Sequence, residues 1–287
     1  MPDPQKMLVT IRRATDLFRA TPGRRGGLIS LGDSASEVMV VGDLHGNIPA
    51  IRQVLAVANL AANPGRHLVL QELVHGNKVY HDDRGDRSHQ LVDLVTALKC
   101  QFPDRVHLIL GNHELSELTG RPIAKAGVAL NALFRQGIET AYGTLAGEIY
   151  AAYLGLFAAL PLAVRTANRV FLCHTIPDPI DLEQFEPSIF DAETWPDKAM
   201  ARHGSVYAIT WGRCTDADNI DRFAEVVDAD WFITGHQPCD EGFRKANHRQ
   251  IIIDGTEPYP AYCLFQSRDA TTIENLLEGV RIFTPSA

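Results

Sequence analysis

Five short polar motifs, each closing or following an apolar run, carry the residues of this 287-residue chain that could do chemistry: GDLHGN (42–47), DRGDRS (83–88), GNHE (111–114), CHTIP (173–177) and GHQ (235–237). Asp43, His45, Asn112, His174 and His236 form a mixed oxygen and nitrogen donor set of the kind that holds divalent metal ions. In GDLHGN the alternate residues Asp43 and His45 point to one side, so both reach one cation. GNHE adds the Asn112 carbonyl as a neutral ligand and sets His113 beside it. A leaving alkoxide needs a proton and imidazole titrates near neutral pH, which makes His113 the candidate general acid. Glu114 reads as a residue that orders the turn. In DRGDRS, Arg84 or Arg87 could clamp phosphate oxygens, and Asp83 could hydrogen-bond His113 and orient it. Taken singly, each motif is equally a helix cap, a solvated ion pair or a core histidine. Together they suit metal-assisted hydrolysis.

The elements that must position these residues are short, β-branched runs: VMVVGD (38–43), HLVLQE (67–72), VHLILGN (106–112), VFLCH (170–174), WFITGH (231–236) and QIIID (250–254). They read as buried strands. Helical patterns lie between several of them, at 48–61, 88–99, 148–160 and 218–228, with Ser88 a candidate N-cap. The alternation predicts α/β layering, and strands that finish side by side bring five motif ends to one sheet edge. Because the motifs run from Asp43 to His236, one catalytic domain over 1–287 is expected, with a core at about 38–265 and short additions at each end. A formal charge of −8 without a basic tract argues against nucleic acid. The longest apolar run, Tyr150 to Val164, is shorter than a membrane span and broken by Pro161. No secretory h-region opens the chain, and five dispersed cysteines without a CxxC pair read as reduced thiols. A cytoplasmic protein without membrane contact is therefore expected. Two segments look irregular: 73–82, and the acidic, proline-rich 177–198, which reads first as a solvated loop and second as a lid.

The order GDxHG, DRGxxS, GNHE, strand–His and GHQ resembles the phosphoprotein phosphatase branch of the calcineurin-like metallophosphoesterases over about residues 38–265. FAALPLAV (157–164), ITWGR (209–213) and GHQPCDEGF (235–243) add to the resemblance. It implies a mixed α/β (α+β) fold, a four-layer β-sandwich flanked by helices, with two divalent ions at the C-terminal edge of the strands and a bridging hydroxide. Manganese is the first expectation for the ions, with iron, zinc or magnesium also compatible. Carried across, Asp43, His45 and His236 would hold one ion, and Asn112 and His174 the other, with a carboxylate between them. His113 and Asp83 would form the acid dyad. Arg84 and Asn112 would bind phosphate, and Arg213, after an ITW strand, is the candidate further arginine.

Two departures stand out. The family's GDxxDRG, placed without a gap before DRG, would put Tyr80 at the bridging position, and a neutral phenol cannot bridge. Aligned by its strand, HLVLQE places Glu72 there, with 73–82 as an insertion and Asp82 as the fallback ligand. CHTIP replaces the usual HGG with bulkier residues. The expected activity is hydrolysis of phosphoric esters, foremost as a bacterial-type protein serine/threonine phosphatase acting on a phosphorylated protein or a small phosphoester. The alternatives are a dinucleoside polyphosphate (diadenosine tetraphosphate-like) hydrolase and a metal-deficient binding module.

Overall fold

A computed structural model describes residues 3–125 and 127–283, with the side chain of Asp83 outside the described set. The chain opens with α1 (Pro4–Arg19) and two short strands, β1 (Arg24–Arg25) and β2 (Leu28–Ser30). Then β3 (Glu37–Val41), β4 (Arg66–Gln71) and β5 (Val106–Ile109) are followed in turn by α2 (Ile48–Ala58), α3 (His89–Gln101) and α4 (Asn112–Thr119). A hairpin of β6 (Ala124–Lys125) and β7 (Val128–Ala129) precedes α5 (Leu130–Tyr142) and α6 (Ala146–Phe157). The second half supplies β8 (Ala163–Arg165), β9 (Val170–Cys173), β10 (Trp231–Thr234), β11 (Phe243–Lys245), β12 (Gln250–Ile253), β13 (Ala261–Gln266) and β14 (Val280–Ile282).

Among the described residues the larger strands form two sheets. One runs β14-β13-β3-β4-β5, the other β1-β2-β8-β9-β10-β12-β11. Strand alternation explains why they stack. Val38, Val40, Val69 and Ile109 of the first sheet and Val170, Leu172, Ile233 and Ile251 of the second share one apolar cluster between the sheets. Their neighbours Met39, Val41, Leu68 and Leu70 face outward onto Ile11, Phe18, Ile51, Val54, Leu91 and Val95 of α1, α2 and α3. On the opposite outer face Phe171 and Phe232 pack against Phe223 of the helix Ala217–Val227. Helix, sheet, sheet and helix make four layers. Both faces of each central strand are covered, which is why these strands read as continuous apolar runs.

β3, β4 and β5 pair in parallel, and so do β9, β10 and β12. Their C-terminal ends therefore lie at one edge, where Asp43 forms a bridge to Asp254 and joins the two sheets. The N-terminal helix is built into the core through Leu8, Ile11, Ala14 and Phe18. The acidic segment 177–198 folds over the outer face of the second sheet. There Phe185 and Phe190 contact Phe223 and Phe171, and none of its described residues lines the cavity at the strand ends. The ITW stretch is helical: it ends the helix Ser205–Trp211.

Candidate metal centre

A cavity of ≈ 870 Å³ opens at the shared strand edge, floored by Asp43, His45, Glu72, Asn112, His113 and His236. Each floor residue stands just past a strand. The exits are tight: His45, Glu72 and His236 have φ of 40°, 46° and 67°, a region that costs an L-residue of order 1 kcal/mol or more and persists where the surroundings dictate it. Gly235 is required for a different reason. A Cβ there would collide with Asp43 Oδ1 and Gln71.

Glu72 stands at the centre. Its Oε2 lies 3.5 Å from His45 Nε2 and 3.5 Å from His174 Nε2, and its Oε1 accepts the His113 backbone N–H at 2.9 Å. Two groups of ligand atoms, each within 4.8 Å of one another, share it: His45, Glu72 and His113, and Glu72, His174 and His236. Asp43 Oδ2 accepts the His236 backbone N–H at 2.8 Å, which leaves Oδ1 buried without a hydrogen-bond partner. His236 Nε2 is likewise buried and unpartnered.

The second ring nitrogens show which atoms are free for a cation. His45 Nδ1 donates to the Val74 carbonyl at 2.8 Å, and His174 Nδ1 donates to Gln71 Oε1 at 3.0 Å. Both rings thus turn a lone pair at Nε2 toward the cluster, in the manner of outer partners that orient metal ligands. His174 Nε2 then sits 3.0 Å from Asn112 Oδ1, two acceptors facing each other. Lone pairs crowded this way, together with the orphaned Asp43 oxygen, fit divalent cations.

Electrostatics agree. Burial, reinforced by the Glu72 charge, holds the Asp43 carboxyl well above the usual carboxylate range. Burial and then Glu114 raise Glu72 as well. Burial pushes His236 down to about 3, with the Arg213 guanidinium adding to it, and drives His174 and His113 down too. Buried carboxylates repel one another and buried imidazoles stay neutral, an imbalance that positive ions would relieve.

The structure brings Asp43, His45, Glu72, Asn112, His113, His174 and His236 together. It groups His236 with His174 and Asn112, whose Oδ1 lies 2.9 Å from His236 Nδ1, rather than with Asp43 and His45. Glu114 orders the turn, its Oε1 accepting the N–H groups of Leu73 and Val74 at 2.8 and 3.3 Å. Arg213 lines the cavity.

The DRG motif lies elsewhere. Residues 78–87 form a small hairpin, with Val79 bridged to Asp86 and Arg87 N–H donating to the Lys78 carbonyl at 2.9 Å. Its tip docks on α5, where Thr140 donates to the Arg84 carbonyl and Gly85 abuts the backbone of Gly137. The Arg84 side chain is exposed and turned back onto the His81 carbonyl, and does not line the cavity. Arg87 does. Asp82 is exposed and paired with His81, away from the cluster. Ser88 caps no helix with its side chain; its hydroxyl donates to Asp86 at 2.8 Å.

Among the described residues, His113 has a partner that sequence reasoning missed, and the Asp83 side chain expected there lies outside them. His75 Nδ1 lies 2.8 Å from His113 Nδ1, and His75 Nε2 lies 2.9 Å from Glu117 Oε1. The signal was present. Setting QELVHGN directly on GDxxDRG with Glu72 at the bridge puts His75 on the second Asp and Gly76 on the Arg.

A two-sheet sandwich whose strand ends gather carboxylate, imidazole and amide donors around one shared carboxylate is the architecture of a metal-dependent phosphoesterase. The chain belongs to the calcineurin-like phosphoesterase family, whose model matches residues 36–240. A probable serine/threonine-protein phosphatase of Encephalitozoon cuniculi is 27% identical over 246 residues, covering 79% of this chain and 48% of that protein. A PP2A-like serine/threonine-protein phosphatase of Candida albicans is 26% identical over 256 residues, covering 84% of this chain and 56% of that protein. The chain thus spans about half the length of these curated relatives. Among solved structures, a protein serine/threonine phosphatase from Saccharomyces cerevisiae superposes with a TM-score of 0.73 at 16% identity, over 100% of this chain and 91% of that one. These relatives lie on the phosphoprotein phosphatase side of the family, as the sequence resemblance implied.

Proposed function

We propose that the chain hydrolyses phosphoric monoesters with two divalent ions, acting on phosphoserine or phosphothreonine side chains. The observation that carries this reading is Glu72, one carboxylate shared by two ligand groups on the floor of an open cavity. Asp43, His45 and Glu72 would hold one ion, and Glu72, Asn112, His174 and His236 the other. Divalent ions at such a site supply Lewis acidity toward phosphoryl oxygens and lower the pKa of the attacking water, and manganese suits the mixed donor set.

The chain's own residues do the rest. Arg213 and Arg87, both lining the cavity, offer forked donors to the phosphoryl oxygens. His113, at the cavity floor, would take a proton from the attacking water and pass it to the departing alkoxide. Five free thiols fit the reducing cytoplasm. The test is phosphate release from p-nitrophenyl phosphate by metal-stripped protein reloaded with Mn²⁺, beside an Asp43→Asn control. Metal-dependent turnover that the control lacks supports the reading. Folded, metal-loaded protein that releases no phosphate from this ester or from phosphopeptides, but cleaves a dinucleoside polyphosphate, would replace it.

A further inference from the structure

Asp83, expected to orient His113, has a side chain outside the described residues; among the described residues His113 meets an imidazole, that of His75. His75 is held as firmly as a ligand. Its φ is 62°, its backbone N–H donates to Ser88 Oγ at 3.1 Å, and the following Gly76 N–H donates to Asp86 Oδ2 at 3.1 Å. The side chains of His75 and Glu117 are both 0% exposed. Beyond His75, Glu117 is fixed by two more donors: Asn131 Nδ2 at 2.6 Å on Oε1, and the Tyr150 hydroxyl at 2.7 Å on Oε2. Tyr150 in turn accepts from Arg135 at 2.8 Å.

With Glu117 ionised and His75 neutral, donor and acceptor rules leave this chain one arrangement. An ionised carboxylate only accepts, so His75 Nε2 carries the hydrogen that meets Glu117. A neutral His75 then has a bare lone pair at Nδ1. The hydrogen between the two rings therefore belongs to His113 Nδ1, and His113 Nε2 is left to face His45 and Glu72. We propose that His75 and Glu117 are positioning residues that fix the tautomer and aim of His113, with an imidazole inserted where the family pattern places a carboxylate. The step this serves, a proton taken up at His113 Nε2 from the attacking water and passed on to the departing alkoxide, rests on the hydrolase reading above. The tautomer assignment does not.

The test has two arms. The first is ¹⁵N-resolved NMR of the imidazoles in the full chain loaded with diamagnetic Zn²⁺, repeated on metal-free protein. The expected pattern is a pyridine-type Nδ1 and pyrrole-type Nε2 at His75, with a pyrrole-type Nδ1 at His113. A protonated Nδ1 at His75, with Nε2 bare or also protonated, overturns the proposal, whether or not the protein is active. The second arm compares p-nitrophenyl phosphate with phenyl phosphate, whose poorer leaving group depends more on a delivered proton. His75→Ala and Glu117→Gln should lower kcat on phenyl phosphate at least tenfold more than on p-nitrophenyl phosphate, with KM and metal content unchanged. His75→Asn, whose amide oxygen branches from the same carbon position as Nδ1, should recover most of the loss. Equal losses on both esters, or loss of metal, would make His75 merely structural. A wild-type chain inactive on both esters and on phosphopeptides would sink the hydrolase reading and leave the NMR arm to decide the relay.

Discussion

Shortening Glu72 by one methylene is the sharpest perturbation of the centre. The carboxylate reaches the histidines from the end of β4, with Oε2 3.5 Å from both His45 Nε2 and His174 Nε2. Glu72→Asp withdraws it by about one C–C bond, ~1.5 Å. Metal–ligand distances tolerate roughly ±0.2 Å, so the shorter side chain falls well short unless the backbone advances. The backbone is pinned. The Glu72 carbonyl accepts the N–H groups of Leu44 and His45, each at 2.9 Å, and Leu68–Gln71 are in register with β5. The variant should therefore bind Mn²⁺ at least tenfold and up to about a hundredfold more weakly, about 1.4 to 2.8 kcal/mol. It should also release the His113 N–H, now 2.9 Å from Oε1, a bond worth about 0.5–1.5 kcal/mol. Metal titration by calorimetry, with stoichiometry from elemental analysis, reads the first loss, and urea unfolding of the metal-free protein reads the second. A Glu72→Asp protein that binds two ions as tightly as wild type would refute the shared-carboxylate reasoning.

Two further outcomes follow from the same geometry. Arg87→Ala should raise KM for p-nitrophenyl phosphate about tenfold, the scale of one lost charged contact, whereas Arg84→Ala, on the far side of the hairpin, should leave it unchanged; steady-state kinetics that show the reverse would return phosphate binding to the DRG motif. Away from the site, His67 Nδ1 and His107 Nε2 meet at 2.9 Å, and burial pushes His67 down to about 4 and His107 well below the ordinary range. Below the unfolded histidine value of about 6.5 the unfolded chain binds the extra protons, so stability falls as pH drops from there toward 4, by up to about 1.4 kcal/mol per pH unit for each ring. Urea midpoints measured across that window should show this slope, and the His67→Gln, His107→Gln double variant should flatten it.

How much was legible depended on what surrounds each segment. The six apolar runs proposed as strands are strands because layers cover both of their faces, which leaves no polar side to disguise them. β13 was not proposed, although AYCLF (261–265) is itself a continuous apolar run; in the sheet its positions alternate buried and half-buried up to the exposed Gln266. The ITW stretch failed because three residues, one of them the polar Thr210, carry no period, and its helix is defined only by packing. Glu72 was found by counting from its strand, and the contacts of its carboxylate follow from that position.

Residues 72–88 show what outranks what. DRG at 83–85 spells the family's letters, yet the Arg84 side chain turns back onto the hairpin, and three residues past Glu72 the position that meets His113 belongs to His75. Letter identity at Arg84 cannot substitute, because the intervening chain builds a hairpin whose tip is fastened to α5. The same count explains the charge pattern. Asp43, Glu72 and Glu114 already crowd buried carboxylates around the cluster, and burial raises the pKa of all three. A further carboxylate touching His113 would add to that repulsion whenever the ions are absent. With an imidazole in contact and Glu117 one ring farther out, the orienting hydrogen bond is kept while the charge moves away. The substitution at position 75 and the added methylene at position 72 are thus two features of one turn, and either is best tested with the other left intact.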